Sequence, residues 1–359
     1  MRPLAGVRVL DLSRLLPGAF ATLMLAEMGA EVIKVEEPGR GDPTRGLPPA
    51  VGGRGLYDLL LNRGKKSVAL DVRRPETAGV LARLVDRADV VVESFRPQTA
   101  RRFGVSAEQL RATRPGLIHC AITGYGQTGP YAERPGHDLN YVAIAGLLAA
   151  DRPHTEDLPK MFIGDVGSGA MSAVIAILGA LYARTQTGEG TALDISMHEG
   201  SLYWMMLPGA RDLVEGGAEA AGDLPTFGDH ACYQVYDTRD GHRLALGALE
   251  AKFWDTFTSA IGRPDLAARH RSNPADQRAL IDEVRGIFRQ KTRAEWLALF
   301  AAHDVCLSPV NTPAEALADP HVAARGAVVG GPHGRAVKPP FVAAPPALSP
   351  APEIGRAHV

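Results

Sequence analysis

The sequence predicts an α/β protein: a larger domain built on a parallel sheet covered on both faces, followed by a smaller α+β domain. Two observations carry this reading. Compact apolar runs of strand type alternate with helix-length segments through the first half of the chain, which is the grammar of βαβ units. Beyond residue 228 the pattern changes, and Asp240-Gly241 between two strand-like runs marks an antiparallel hairpin.

The elements follow in order. Residues 7–12 form the first strand, Pro17-Gly18 opens a helical pattern through Met28 with Gly29 as its stop, and residues 31–35 form the second strand. The same alternation predicts a strand over 67–72, a helix over 75–88, and strands over 89–95 and 117–123. After Tyr141 the pattern turns helical, with a long Gly/Ala-rich helix over 167–186 and a short strand over 191–195. The hairpin strands are placed at 233–236 and 243–246, with helices at 252–261, 276–289 and 293–303. The resulting division is a large domain over 1–207, a linker rich in Gly, Ala, Asp and Glu over 208–228, a small domain over 229–328, and a C-terminal segment over 329–359. From Pro339 onward that segment is rich in proline and alanine and is expected to run extended over a surface.

Composition narrows the function. The 359-residue chain has 45% hydrophobic and 22% charged residues and a net charge of −1, without the basic excess of a nucleic-acid binder. Its three cysteines, Cys120, Cys232 and Cys306, are widely spaced and lack a C-x-x-C pair, which argues for a reducing cytoplasm over a disulfide framework or a zinc site. The most apolar stretch, over 170–183, falls short of the roughly 20 residues that span a bilayer, so a buried helix and no membrane partner are expected. The last residues, Arg356-Ala357-His358-Val359, match neither a peroxisomal nor an ER-retention signal.

Three titratable residues stand in settings that suit proton transfer: His137 in Gly136-His137-Asp138-Leu139-Asn140-Tyr141, Asp165 after Gly164, and Glu250 after Gly247-Ala248-Leu249. Together they supply two opposed bases and a carboxylate to orient one of them. Each also has an ordinary structural reading: a hydrogen-bonded histidine, a helix N-cap and a first-turn glutamate, respectively. The basic groups Arg63, Lys65, Lys66 and Arg96, Arg101, Arg102 fall beside predicted strands, where they are either solvated charge or ligands for a phosphorylated molecule. Gly64-Lys65-Lys66 lacks the flanking residues of a phosphate loop, no G-x-G-x-x-G follows the first strand, and His198-Glu199 lacks the second histidine of a zinc protease. P-loop, dinucleotide-cofactor and zinc-protease chemistry are therefore disfavoured, and no metal is expected.

The ordered motifs resemble the class III CoA-transferase superfamily, the CaiB/BaiF type, and within it the α-methylacyl-CoA racemases. The likeness runs from residues 4–12 (LAGVRVLDL) and 29–35 (GAEVIKV) through 62–67 (NRGKKS), 93–97 (ESFRP) and 124–130 (GYGQTGP) to Gly188-Glu189-Gly190 and 307–310 (LSPV). Gly136 to Tyr141 and Glu250 look like the racemase signature; transferases usually carry an aromatic residue in place of His137. Met161 stands where racemases usually have an asparagine, and Glu37 where several place an arginine.

The resemblance implies a Rossmann-like large domain, to which the C-terminal segment returns, and an interlocked homodimer in which the partner supplies Glu250. The implied activity is epimerisation of 2-methyl-branched acyl-CoA thioesters, with His137 and Asp165 as bases on opposite faces and Glu250 orienting His137. The backbone N–H of Asp138 is the candidate enolate donor. Coenzyme A would be held by Arg96, Arg102, Ser94, Phe95 and Leu70-Asp71-Val72-Arg73, with Gly136, Asp138, Leu139, Asn140 and Tyr141 also in contact. Met171, Gly167 and Gly169 would shape the acyl pocket. No separate cofactor is required, since CoA is part of the substrate. The alternative is a formyl-CoA-transferase-like enzyme in which Asp165 is the nucleophile.

Overall fold

Six strands form the main sheet: β1 (Arg8–Asp11), β2 (Glu31–Glu36), β3 (Lys66–Ala69), β4 (Val90–Glu93), β5 (Ile118–Thr123) and β6 (Ala192–Ser196). All adjacent pairs are parallel and the order is β3-β2-β1-β4-β5-β6. This is the doubly wound arrangement, and its order reverses between β1 and β4, which opens a crevice at the carboxyl ends of the strands. The computed structural model describes residues 2–151, 161–214, 228–331, 333–341 and 349–355. The chain divides into two units, the described residues of Met1–Gly217 with Ala324–Val359 and those of Ala218–Ala323.

Helices cover both faces of the six-stranded sheet. On one face α1 (Leu15–Glu27) packs with the long helix formed by a π-helical segment, Ile163–Met171, and its continuation α5 (Ser172–Thr187), burying Val9, Val90, Val92, Ile118, Cys120 and Ile122. On the other, α2 (Ala78–Asp86) and α3 (Pro97–Arg102) cover Leu10, Val35, Val91 and Leu117. The Val90-Val91-Val92 run therefore has apolar neighbours on both sides, the reason parallel strands read as continuous hydrophobics. Two further helices of this unit, α4 (Asp138–Ile144) and α6 (Met197–Met205), pack against the π-helical segment.

Several predicted boundaries move. The strand expected over 67–72 ends at Ala69, and the helix expected over 75–88 begins with a 3₁₀ turn at Pro75–Thr77. The helix expected over 167–186 starts earlier, so Ile163–Thr187 spans 25 residues and is long and apolar enough to cross a membrane. One side of it nevertheless packs in the sheet core through Ala170, Ala173, Val174 and Ile177. The other side leaves Met171, Ile175 and Tyr182 exposed, as α6 does with Tyr203 and Trp204.

Beneath the β1–α1 turn lies a buried network of charges. Asp11 is fully buried and reaches both Lys34 Nζ (3.7 Å) and Lys65 Nζ (3.3 Å), and accepts from the hydroxyls of Ser13 and Thr22. Lys34 pairs also with Asp42 at 3.1 Å. Lys65 donates to Ala19 O, Thr22 Oγ1 and Asn62 Oδ1 as well. Burial alone would lift the Asp11 carboxyl, yet the two lysines hold it below its ordinary value, while burial pushes the Lys65 ammonium down to about 8. The phosphate-binding reading of Arg63, Lys65 and Lys66 is thereby corrected: Lys65 is inside the core, Arg63 pairs with Glu27, and Lys66 with Glu31.

The C-terminal segment joins this region. Ala69 N donates to Gly355 O (3.1 Å), Gly355 N to Ser67 Oγ (3.0 Å), and Gly64 N to Pro350 O (3.3 Å), so residues 350–355 cover the β3 edge. A Cβ on Gly355 would stand 2.0 Å from Ser67 O, which is why glycine occupies that point. Arg45, bonded to Glu36, donates also to Pro352 O at 3.0 Å.

The second unit has a three-stranded antiparallel sheet, β7 (Tyr233–Asp237), β8 (Arg243–Gly247) and β9 (Leu307–Pro309), ordered β9-β8-β7. The hairpin turns at Asp240-Gly241, where Gly241 has φ +75°. Helices α7 (Ala251–Ala260), α8 (Pro274–Phe288) and α9 (Arg293–Phe300) enclose an aromatic core of Trp254, Phe257, Phe288, Trp296 and Phe300 with Tyr236.

Because Asp11 is the carboxylate that pairs with Lys65 and one of two that pair with Lys34, Asp11→Ala should destabilise the sheet-bearing unit by about 3–5 kcal/mol. Urea unfolding followed by circular dichroism checks this; a loss below about 1 kcal/mol would show that the network is not structurally important.

Candidate active site

Close packing joins the two motifs that carry His137 and Asp165. His137 is the exposed N-cap of α4 in extended conformation, with its backbone N–H bonded to Asn140 Oδ1 at 3.0 Å. Four residues on, Tyr141 is buried, donates its hydroxyl to Gly136 O, and meets Tyr125 edge-on at 5.3 Å. A Cβ on Gly136 or Gly124 would stand 2.7 or 2.6 Å from the Tyr141 ring. The glycine before His137 is thus required by the tyrosine that ends the same motif.

Asp165 does not cap a helix, contrary to its structural reading from the sequence: Phe162 is the N-cap and Asp165 lies in the first turn of the π-helical segment. Its N–H donates to Asp138 Oδ1 at 2.7 Å, so the residue after His137 ties the two motifs together. A Cβ on Gly164 would come within 3.0 Å of that same oxygen. Asp165 is half-buried, and burial first, then the nearby Asp138 charge, pushes its carboxyl up to about 7. Burial is also the main cause that raises the Tyr141 phenol, with Asp165 adding to it. The wide π turn is packed by α6: Ser168 and Ser201 share a hydrogen bond at 3.1 Å, and a Cβ on Gly200 would clash with Ser168. Such turns are over-represented at functional sites.

Gly169 does not line a pocket as expected, because a Cβ there would lie 2.9 Å from the Met197 side chain inside the core. A Cβ on Gly167 would stand 3.7 Å from the Trp204 ring, and Met171 is exposed. Asn140 and Tyr141 hold the motif from within, and Leu139 is exposed.

A cavity of about 280 Å³ opens at the carboxyl ends of β1, β2, β3 and β4, where the strand order reverses. Its lining includes Leu70, Asp71, Val72, Arg73, Phe95 and Arg102 from the sequence reading, with Leu12, Ser13, Arg14, Thr99 and Phe103, which that reading missed. Ser94 sits beside it, accepting the Arg14 N–H at 2.9 Å, and Arg96 is the exposed N-cap of α3. The acids of the cavity are all paired: Glu36 with Arg45, Asp42 with Lys34, and Glu37 and Asp71 with Arg73. Arg73 is therefore occupied, and its pairing with Glu37 explains how an acid is tolerated there. Arg14 and Arg102 have no carboxylate partner among the described residues; Arg102 lies over the Phe103 ring at 5.1 Å, itself edge-on to Phe95. Two uncompensated guanidinium groups beside apolar and aromatic walls suit a ligand that has phosphates and a planar base.

Glu250 belongs to the other unit, as the exposed N-cap of α7, with no side-chain bond to that helix. Its approach is held rigidly. Gly247 N donates to Cys306 O and Ala248 N to Cys232 O, both at 2.8 Å. Arg271 donates to Leu249 O at 2.7 Å, and His270 Nε2 lies 3.1 Å from Ala248 O, so that ring nitrogen bears the hydrogen. His270 and Arg271 could not be found from sequence, since neither adjoins Glu250 along the chain.

Comparison with known proteins places this geometry. The model of "CoA-transferase family III" matches residues 4–358. The chain is 33% identical over 337 residues to the succinyl-CoA:glutarate CoA-transferase of Homo sapiens, covering 92% of this chain and 76% of that protein. It is 31% identical over 344 residues to the human α-methylacyl-CoA racemase (91% and 82%), and 36% over 345 residues to the succinyl-CoA–D-citramalate CoA-transferase of Chloroflexus aurantiacus (92% and 83%). The crystal structure of a CaiB/BaiF family protein from Brucella suis superposes with a TM-score of 0.83 at 31% identity, over 98% of this chain and 96% of that one. These relatives include racemases and transferases alike, so the likeness reaches the family and stops short of the reaction. By sequence and by fold along nearly its whole length, the chain belongs to CoA-transferase family III.

Proposed function

We propose that the protein is an α-methylacyl-CoA racemase, and the observation that carries this reading is the state of Asp165. A carboxyl pushed up to about 7, beside Asp138 and with no cationic partner among the described residues, suits a group that both takes and gives a proton near neutrality. A nucleophilic carboxylate works as the anion, the form that burial and the Asp138 charge disfavour. In one direction His137 removes the α-proton of the thioester, the C–H electron pair moves onto the thioester oxygen as an enolate, and the Asp165 acid protonates the opposite face. The reverse direction exchanges the two roles. The backbone N–H of Asp138, at the first turn of α4, is the enolate donor in this reading.

Coenzyme A binds in the β1–β4 cavity, held by Arg102 and Arg14, with Arg96 at its rim. Glu250 orients His137 from a second copy of the chain, in an interlocked homodimer. Support comes from the exposed apolar side chains Met171, Ile175, Tyr182, Tyr203 and Trp204, a face more apolar than a solvated monomer usually presents. Cys120, Cys232 and Cys306 are all free, which fits a cytoplasmic protein.

A second reading is favoured by the transferase relatives: Asp165 attacks an acyl-CoA to give a mixed anhydride and free CoA thiolate, the thiolate attacks the Asp165 carbonyl to release the donor acid and leave an aspartyl-CoA thioester, and the acceptor acid repeats the two steps in reverse to leave as its CoA ester with Asp165 restored. His137 then has no assigned role.

The decisive measurement is α-deuterium uptake by both enantiomers of a 2-methylacyl-CoA in D₂O without an acceptor acid. Wild type should exchange both; His137→Ala and Asp165→Ala should each depress exchange with opposite enantiomer preference. No uptake, together with acyl transfer that is lost in Asp165→Ala and kept in His137→Ala, selects the transferase. The direction that needs Asp165 as base should rise as pH increases through about 7, and the direction that needs it as acid should fall. Arg102→Ala should weaken CoA binding by about 1.5–3 kcal/mol, read by calorimetry; unchanged affinity removes Arg102 from the site. Co-expressed His137→Ala and Glu250→Ala chains should form mixed dimers with one intact site. A purified mixed dimer no more active than its parents would exclude a shared site.

A further inference from the structure

Glu93 ends β4 at the carboxyl edge of the sheet, directly before the turn Ser94-Phe95-Arg96 that leads into the coenzyme cavity. It is fully buried. One carboxyl oxygen, Oε2, accepts the backbone N–H of Phe95 at 2.6 Å, which closes the turn back on the strand that precedes it. The other oxygen, Oε1, is buried with no hydrogen-bond partner among the described residues, and so is Gln127 Nε2 nearby in the loop after β5. Register places Glu93 opposite Ala121 and Ala121 opposite Asp194, so the two acids stand on the same face of the sheet, two strands apart. Asp194 in turn accepts the Gln127 N–H at 3.0 Å. On β5 the titratable side chain on the same face as Glu93 is the buried His119, two residues before Ala121 and with its Nε2 2.9 Å from Val105 O, whereas Cys120 lies on the opposite face with Val92.

We propose that Glu93, which lines neither the cavity nor the proton-transfer site, is a positioning residue for coenzyme binding: as the neutral acid it clasps Phe95 and fixes the turn that presents Phe95, Arg96 and Arg102. An ionised Glu93 would sit unpaired in the core, and opening of the turn to water relieves that cost. Burial pushes the Glu93 carboxyl up to about 8; the Phe95 N–H works against that rise and Asp194 adds to it. The folded protein therefore holds this proton at neutral pH, and an anionic ligand seated on the turn reinforces its retention. Coenzyme affinity should then fall as pH rises through about 8. The inference rests on coenzyme A binding in the cavity and is indifferent to racemase or transferase chemistry.

The experiment is calorimetric titration of the full-length protein with free CoA between pH 6.5 and 9, for wild type, Glu93→Gln and Glu93→Ala. Glu93→Gln keeps a carbonyl oxygen for Phe95 and has no proton to lose. It should bind within about twofold of wild type at pH 7 and vary by less than about threefold to pH 9, while wild type loses up to about tenfold. Glu93→Ala, without the clasp, should bind about tenfold more weakly at pH 7, and turnover should show a raised KM with little change in kcat. Lys65 titrates in the same range, so the readout is the difference between wild type and Glu93→Gln. Parallel pH profiles for those two proteins overturn the proposal even where Glu93→Ala fails to fold, and so does wild-type affinity in a folded Glu93→Ala. A wild type that binds no CoA at any pH overturns the cavity assignment itself.

Discussion

The β1–α1 turn exists because Asp11 is satisfied from every side. A fully buried carboxylate in contact with two buried lysines is costly to desolvate, and it persists only where geometry returns that cost. Here Ser13, Thr22, Lys34 and Lys65 all converge on it, and Lys34 carries the connection to Asp42. Asp42 reaches the Leu15 N–H at 3.3 Å. Leu15, at φ +63°, is the non-glycine residue of the described chain in the left-handed region, a conformation that a branched side chain adopts only under external constraint. The mouth of the β1–β4 cavity, Leu12 to Arg14, is thus shaped by the network below it.

The motifs of His137 and Asp165 are held by a different device, close contact without charge compensation. Tyr141 fills the space that Gly124 and Gly136 leave, and the Asp138 carboxylate fills the space that Gly164 leaves. Backbones that approach so closely cannot shift independently, so the geometry around His137 and Asp165 is defined before any substrate arrives. The same Asp138 that aligns Asp165 also raises its carboxyl. Position and proton affinity are therefore set by a single neighbour.

Buried and half-buried carboxyl groups of this unit consequently fall into two kinds. Asp11 and Glu36 meet cations that, against burial, hold their carboxyls below the ordinary value. Glu93 and Asp165 meet burial and another acid, and hold their protons toward neutrality. Uncompensated acids of this kind are unfavourable for folding as pH rises, since the unfolded chain releases its protons near 4 while the folded chain keeps them to higher pH.

Much of the scaffold was legible in the residues themselves. Apolar runs separated by helical segments identified the parallel strands, Asp240-Gly241 the hairpin, and the motif series the family, because these depend on local pattern and spacing along the chain. The resemblance also supplied cavity positions such as Leu70, Phe95 and Arg102. What the sequence could not decide was how charges are paired. Arg63, Lys65, Lys66 and Arg73 look like free cations in sequence, yet each has a carboxylate partner more than 30 residues away, while Arg14 and Arg102 have none among the described residues. Glu93 and Asp165 likewise look like ordinary acids until burial and a neighbouring carboxylate act on them. Periodicity is a property of neighbours along the chain, whereas desolvation and ion pairing are properties of neighbours in space, and only the tertiary structure decides those.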